Sequence, residues 1–253
     1  CAGILPLTSG SINWRTGTDS SRLVRDSEGR RSELPPMGLT LQSDGMCGEE
    51  TVEERLAISL RVAGRSPDEA RMAEMLSVWG LEHRRADRIS QLSGGMRRRL
   101  AVLCGLAPAA LCGDSRVALL DEPSEGLDES ARGLLTGWLR ALAANGHGVV
   151  VATHDAEVIR CADRVVSVEG SNLIEAAGGS VGAIAQLPQP SDSTEPSTLG
   201  SLLKWAFRME TRNPIDTIGR ATPALVALLL AYTLVGEVDM GHAGNGMLSA
   251  LVL

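Results

Sequence analysis

Two adjacent carboxylates follow a short apolar run in the middle of the chain. Residues 117–123 read VALLDEP, so Asp121 and Glu122 come directly after four apolar residues. Such a run predicts a buried parallel strand, and α/β proteins bind ligands beyond the carboxyl ends of these strands. Asp121 is therefore a candidate Mg²⁺ ligand, and Glu122 is a candidate for polarising a water that attacks a phosphate. The alternative is a strand that simply ends in polar residues.

A serine and two glycines form a second motif at residues 92–96, which read LSGGM. Gly94 and Gly95 lack a Cβ, so at a helix start their N–H groups are open to a phosphate, and the helix dipole favours an anion there. Short glycine motifs are common, so this one alone fits an ordinary helix cap at Ser93 equally well. We interpret the three arginines that follow, at residues 97–99, as the solvated face of the helix.

A histidine follows a second apolar run. Residues 149–152 read VVVA and predict another parallel strand, after which Thr153, His154 and Asp155 follow. Because parallel strands end at the same edge of a sheet, we expect His154 beside Asp121. A lone histidine in this position is more often a structural hydrogen-bonding group than a catalytic one.

The elements that position these residues are indicated by helix caps. Residues 1–178 alternate strand-like and helix-like segments, which is typical of an α/β domain with a largely parallel sheet. A capping box predicts a helix over residues 51–62, and a second, with Pro67 in the first helical position, predicts a helix from residue 66 to a stop at residue 80.

Asp128 predicts the start of a further helix. It ends the sequence SEGLD at residues 124–128, directly after the paired carboxylates. Aspartate is a favoured N-cap, and Asn145-Gly146 is a typical helix end. Asp128 is thus a candidate site residue whose alternative role is a turn plus a helix cap.

The order and spacing of these motifs resemble the ATP-binding cassette (ABC) ATPase family. Asp121 follows Ser93 by 28 positions, and His154 follows Asp121 by 33. The resemblance implies a P-loop NTPase cassette over residues 1–178, with a parallel-sheet core and a helical subdomain. The resemblance implies that Ser93, Gly94 and Gly95 belong to the signature motif, that Asp121 is the Walker B aspartate and a Mg²⁺ ligand, and that Glu122 is the catalytic glutamate. It also implies that Asp128 is the D-loop aspartate and that His154 is the switch histidine. Gln42, within GLTLQ at residues 38–42, would be the Q-loop glutamine and a second Mg²⁺ ligand.

The same resemblance implies ATP and Mg²⁺ as ligands, ATP hydrolysis, and a head-to-tail pair of cassettes with nucleotide between them. No G-x-x-x-x-G-K-[ST] loop occurs in the 253 residues. The opening CAGILPLTSGSINW is similar to the segment that follows the P-loop helix in this family. We therefore expect the loop upstream of Cys1 and expect these residues alone not to hydrolyse ATP. Met96 departs from the commoner glutamine, and LSGGMRRRL resembles exporter cassettes.

The C-terminal part of the chain differs in character. Residues 179–198 are rich in Gly, Pro, Ser and Thr and predict a linker. Residues 221–236 carry no charge over about 24 Å of helix, and Lys204, Arg208, Arg212 and Arg220 precede them. By the positive-inside rule, this pattern predicts an interfacial helix and then a transmembrane helix, with the cassette on the cytoplasmic face of the inner membrane. A buried helix of a soluble domain is the alternative.

Residues 202–253 are similar to the start of the permease of the cytochrome c maturation haem exporter. The resemblance implies a cassette fused to a membrane domain over residues 199–253, with haem export as a possible function. Alternatives are an exporter of drugs, lipids or polysaccharides, and a soluble or degenerate ABC ATPase that does not transport. The net charge of −7 argues against a general nucleic-acid binder. The five cysteines include no C-x-x-C pair, which suits reduced thiols.

Overall fold

The computed structural model describes residues 6–16, 20–30, 37–113, 116–170, 172–190 and 199–212. The chain divides into two compact units, Cys1–Thr198 and Leu199–Leu253. The strands are β1 Ser11–Thr16, β2 Ser20–Asp26, β3 Gly38–Thr40, β4 Val117–Asp121, β5 Gly148–Ala152, β6 Arg164–Glu169 and β7 Asn172–Ala177. The α-helices are α1 Val52–Val62, α2 Glu69–Val78, α3 Gly94–Ala110, α4 Glu129–Ala144, α5 Ala156–Cys161 and α6 Leu199–Arg212.

A parallel sheet lies at the centre of the first unit. Its described strands run in the order β3–β4–β5, and both neighbouring pairs are parallel. Leu119 in β4 pairs with Leu39 in β3 and with Val150 in β5, so the three strands end at one edge. The β1–β2 and β6–β7 pairs are antiparallel hairpins. The predicted α/β class with a parallel core is confirmed.

The two predicted core strands differ in burial. Residues 118–120 of β4 are buried, as the apolar run predicts. In β5 half-buried and exposed residues alternate, and Val150 is 48% exposed. The expectation that both strands are buried is therefore wrong for β5, because Val149 and Val151 pack against the core whereas the opposite face, which carries Val150, is not covered by the described residues.

The first two helices test the predicted caps. Helix α1 starts after Thr51, whose hydroxyl accepts from the N–H of Glu54 while the Glu54 carboxylate accepts from the N–H of Thr51. This capping box is confirmed. Helix α2 starts at Glu69, so the predicted start at Pro67 is wrong. Asp68 is the N-cap, because its carboxylate accepts from the N–H of Arg71 at 3.0 Å.

Helices α1 to α4 share one apolar core. Trp79, which ends α2, is fully buried and meets Trp138 of α4 edge to face, with ring centroids 5.6 Å apart. Aromatic pairs in this geometry add about 0.5–1.5 kcal/mol beyond the area they bury. The helices predicted as a subdomain are thus packed into the same core as the helices that cover the sheet.

Helix α3 lies unusually close to β3. A Cβ added at Gly105 would overlap the hydroxyl oxygen of Thr40, and one added at Gly38 would overlap the carbonyl oxygen of Gly105. The Thr40 hydroxyl donates to the carbonyl of Ala101 at 3.3 Å. The two glycines therefore allow the helix and strand backbones to touch, which fixes where the chain leaves β3 toward Gln42.

The described part of the predicted linker, residues 179–190, contains no helix or strand. The N–H of Ala185 donates to the carbonyl of Gly137 in α4 at 3.1 Å, and Ala185 and Leu187 pack against the core. In the second unit, Leu203 and Phe207 of α6 are exposed. Within the described residues, no helix is long and apolar enough to cross a bilayer. The predicted span at residues 221–236 lies outside them.

Candidate functional site

The loops that follow β3, β4 and β5 meet at the carboxyl edge of the sheet. Gln42 lies two residues after β3, Asp121 ends β4, and His154 lies two residues after β5. The Gln42 amide donates to the Glu125 carboxylate at 3.3 Å. The predicted convergence of these side chains on one edge is therefore found in the structure, which follows from the parallel register.

Glu122 is held by the loop after β5. Its two carboxylate oxygens lie 3.1 Å from the Thr153 hydroxyl and 2.7 Å from Nδ1 of His154. Its backbone φ is +43°, in the left-handed region that side chains rarely adopt, and its N–H donates to the carbonyl of Ala152 at 2.8 Å. The backbone and both carboxylate oxygens of Glu122 are therefore fixed against β5 and its loop.

The electrostatics of Glu122 suit a proton acceptor. Partial burial acts to raise its pKa, but the hydrogen bonds from His154 and Thr153 outweigh this effect and hold the pKa below the ordinary glutamate value. His154 is largely exposed, whereas only 18% of the Glu122 side chain is exposed. Glu122 is thus an ionised carboxylate at neutral pH, sheltered but with an exposed imidazole beside it.

An acidic cleft opens beside Asp121. Its lining residues include Gln42, Asp44, Asp121 and Glu125, together with Arg98. Carboxylate and amide oxygens are ligands that Mg²⁺ accepts, and Mg²⁺ commonly takes one or two protein ligands together with phosphates and waters. In the described part of the chain, no group of three or more His, Cys, Asp or Glu could hold a metal on its own. Asp121 and Gln42 carry oxygen atoms of the kind that Mg²⁺ accepts.

The serine–glycine motif caps α3, as predicted. The Ser93 hydroxyl accepts from the N–H of Met96 at 3.3 Å, and α3 begins at Gly94. Ser93, Gly94 and Gly95 are all exposed, and nothing lies within 4 Å of a Cβ built at Gly94. Gly94 also lines the cleft with Asp121. The first N–H groups of a helix lack intrahelical partners, so this helix start presents donors to the outside.

Asp128 is fully engaged within its own unit. One carboxylate oxygen accepts from the N–H of Ala131 at 2.9 Å, and the other pairs with the Arg99 guanidinium. The hydrogen bond from Ala131 is the largest influence on the Asp128 carboxyl and, with Arg99, lowers its pKa. The predicted N-cap role is confirmed, and the contact with Arg99 ties the start of α4 to α3.

The interpretation of residues 97–99 as a solvated face is wrong for Arg98. Arg97 is exposed, whereas Arg98 is 5% exposed and its guanidinium donates to backbone carbonyls of the loops after β3 and β4. The sequence carried one signal for this, since Arg98 lies one helical turn before the buried pair Ala101 and Val102.

Two other site residues were missed by the sequence analysis. Thr153 binds the Glu122 carboxylate, and Glu125 accepts from Gln42. Thr153 directly precedes His154, and Glu125 lies within the SEGLD sequence that ends at Asp128. Their position beside predicted site residues was therefore the available signal. Their partners are 31 and 83 positions away along the chain, and no local pattern indicates such contacts.

A parallel sheet with these loops at its edge, beside a serine–glycine helix start, is the fold of an ABC ATPase cassette. A solved structure described as the ATP-binding subunit of an ABC transporter superposes with a TM-score of 0.50 at 23% identity, covering 56% of this chain and 59% of that one. The family model for the ABC transporter matches residues 1–125. Residues 1–125 are thus similar to the ABC transporter family, and the first unit has the fold of its ATP-binding cassette.

Several curated proteins with export functions are similar to this chain. The macrolide export ATP-binding/permease protein MacB of Azoarcus sp. (strain BH72) is 31% identical over 166 residues, which cover 65% of this chain and 24% of that protein. The Nod factor export ATP-binding protein I of Burkholderia orbicola (strain AU 1054) is 37% identical over 145 residues, which cover 56% of this chain and 46% of that protein.

A third relative aligns with most of the chain. The pyoverdine export ATP-binding/permease protein PvdT of Pseudomonas entomophila (strain L48) is 28% identical over 251 residues, which cover 94% of this chain and 37% of that protein. The chain thus spans between about a quarter and a half of the length of these three relatives.

Proposed function

We propose that this chain is the ATP-hydrolysing part of an ABC exporter. The observation that carries the proposal is the Glu122 carboxylate, which is held by Thr153 and His154 next to the cleft that contains Asp121. The matched domain is an ABC transporter domain, and the three relatives described above are named as export proteins.

Glu122 is the general base in this proposal. Its carboxylate is ionised at neutral pH, so it can accept a proton from the water that attacks the terminal phosphate. His154 holds one carboxylate oxygen and, being exposed, can contact the same phosphate group. Asp121 and Gln42 would hold Mg²⁺, which neutralises phosphate charge when bound.

Ser93, Gly94 and Gly95 serve a second cassette in this proposal. They are exposed, and their helix start offers hydrogen-bond donors to an anion outside the unit. A head-to-tail pair of cassettes would bring this helix start onto the nucleotide held by the partner. Asp128, fixed by Arg99 and by its cap contact, would hold the turn before α4 in place at that interface.

We propose the cytoplasmic face of the inner membrane as the location, with a permease domain as partner. Support comes from α6, whose Leu203 and Phe207 are 61% and 73% exposed while Lys204, Arg208 and Arg212 recur at four-residue intervals. An exposed apolar face with a basic stripe suits a bilayer interface. Haem remains the proposed cargo on the resemblance of residues 202–253. The test is stimulation of ATPase activity by haem, compared with macrolides and lipids.

The base assignment is tested with Glu122→Gln in the protein encoded by the complete reading frame. The amide keeps the shape but cannot accept the proton, so we expect turnover to fall by about 10²–10⁴-fold while ATP binding is retained. Glu169→Gln, an exposed glutamate at the end of β6, is the matched control and should leave turnover unchanged. Unchanged turnover in Glu122→Gln would refute the role of Glu122.

The pairing of cassettes is tested with Ser93→Arg in the same protein. The bulky side chain at the exposed helix start should block ATP-dependent dimer formation, measured by light scattering with a non-hydrolysable ATP analogue. Ser77→Arg, at an exposed position of α2, makes the same change of size and charge and should dimerise normally. A Ser93→Arg variant that still dimerises on ATP would show that this helix start does not contact the partner.

A further inference from the structure

Arg98 links three parts of the site through one buried guanidinium. Its Nη1 donates to the carbonyls of Leu41 and Gln42 at 2.8 and 3.1 Å. Its Nη2 donates to the carbonyls of Asp121 and Glu122 at 3.1 and 2.5 Å. The side chain starts from α3, one turn after the exposed Ser93 cap. The two terminal nitrogens of one side chain therefore each bind a different loop.

The environment of Arg98 shows that the contact is specific. Only 6% of its side chain is exposed, and it forms an ion pair with Asp44 at 3.5 Å. Burying a cation is unfavourable unless hydrogen bonds replace its hydration. Four carbonyls do so at Nη1 and Nη2, whereas Nε is buried without a hydrogen-bond partner in the described part of the chain. A planar guanidinium can hold two pairs of acceptors in fixed directions, which a single ammonium group cannot do.

The contact with Glu122 has a further consequence. The backbone of Glu122 has a φ of +43°, which is strained for a residue with a side chain. Such a conformation persists only when the surroundings fix it on both sides. Arg98 holds the carbonyl of Glu122, and Ala152 accepts from its N–H at 2.8 Å. These two bonds keep the carboxylate aimed at Thr153 and His154.

We propose that Arg98 is a positioning residue that locks the loop carrying Gln42 to the strand end carrying Asp121 and Glu122. Without it, the Glu122 backbone relaxes and its carboxylate loses the contacts with Thr153 and His154. The effect on turnover rests on the function proposed above, whereas the structural link does not.

The link is tested first on the 253-residue chain, without any requirement for activity. Arg98→Met keeps the length and apolar stem of the side chain and removes its donors. We expect the Glu122 amide to exchange hydrogen about tenfold faster while the amides of α1 keep their protection.

Two further variants make the test specific. Arg97→Met changes the same charge on the same helix at an exposed position and should behave as the unaltered chain does. Arg98→Lys keeps the charge but offers one nitrogen, so we expect protection of Glu122 between those of the Arg98→Met variant and the unaltered chain. If the Glu122 amide is as protected in the Arg98→Lys variant as in the unaltered chain, the link does not need both terminal nitrogens of Arg98 and the proposal is wrong. Unchanged Glu122 exchange in Arg98→Met, or faster exchange everywhere including α1, would overturn it as well.

The consequence for catalysis is measured in the protein encoded by the complete reading frame. Arg98→Met should lower kcat about tenfold or more with KM for ATP within about twofold, because the bound nucleotide meets a misplaced base. A larger change in KM than in kcat would overturn the role of Arg98 in positioning Glu122. If Glu122→Gln leaves turnover intact but Arg98→Met still exposes the Glu122 amide, the proposed function fails and the structural link stands.

Discussion

The contact between α3 and β3 predicts that Gly105→Ala strongly destabilises the fold. The added methyl group would overlap the Thr40 hydroxyl oxygen and lie 3.2 Å from the Thr40 Cβ. Thr40 is 2% exposed, so its side chain has no solvent into which it can turn. Either the backbones of α3 and β3 move apart or the hydrogen bond from Thr40 to Ala101 is broken.

The expected magnitude follows from three terms. Forcing a methyl group into a filled core costs about 1–3 kcal/mol. Loss of the hydrogen bond from Thr40 to Ala101 costs about 1 kcal/mol more. Alanine is favoured over glycine inside a helix by about 1 kcal/mol, which opposes these costs. We therefore expect the free energy of unfolding to fall by about 2 kcal/mol.

The assay is urea unfolding of the 253-residue chain, followed by the fluorescence of the buried Trp79 and Trp138. Gly133→Ala is the control, since Gly133 is also helical but is exposed, with nothing within 4 Å of an added Cβ. That change should raise the free energy of unfolding by about 0.5–1 kcal/mol. The two glycines should thus respond with opposite signs. If Gly105→Ala stabilises the protein as Gly133→Ala does, the close packing of α3 on β3 is wrong.

Three further predictions concern caps and pH. Asp128→Ala should lower the free energy of unfolding, measured with urea, by about 1 kcal/mol, because α4 loses its N-cap. Asp128→Asn keeps the cap and should lower it less. Equal losses in the two variants would contradict the cap geometry. Asp68→Ala should cost about 1 kcal/mol, whereas Ser66→Ala should cost less than about half of that, and the reverse order would restore the start of α2 at Pro67. The pKa of Glu122 is lowered in the folded state. Its contribution to the free energy of unfolding is therefore fully present above the ordinary glutamate pKa of about 4.3, and it is lost as the pH falls through the lower pKa of the folded state. Glu122→Gln should therefore make the loss of stability below about pH 5 shallower, and an unchanged slope would contradict the contact with His154.

Local chemistry made the helix starts predictable. Thr51, Ser93 and Asp128 each cap a helix with a side-chain oxygen that accepts from an N–H three residues ahead. Such a contact lies within one turn, so the sequence contains all of its determinants. The start of α2 was misplaced because Ser66 and Asp68 are both acceptable caps. Only the packed chain shows that the Asp68 carboxylate reaches Arg71.

Contacts between distant segments were not predictable in the same way. Arg98 differs from Arg97 and Arg99 through its carbonyl partners, of which Leu41 is 57 positions away along the chain. The approach of Gly38 to Gly105 likewise joins residues whose contact depends on how α3 lies on the sheet. Hydrophobic patterns predict which face of an element is buried, but they do not specify which acceptors a buried arginine meets.

The two adjacent carboxylates have different surroundings because of the backbone between them. Asp121 is the last residue of β4, and its side chain lines the cleft with Gln42. Glu122 leaves the strand with a φ of +43°, which directs its carboxylate to Thr153 and His154 instead. The sequence LLDEP predicts both acids at the sheet edge, and the division between their proposed metal-binding and base roles matches this difference in contacts. That division depends on one strained residue, whose carbonyl is held by Arg98 and whose N–H is bound to Ala152.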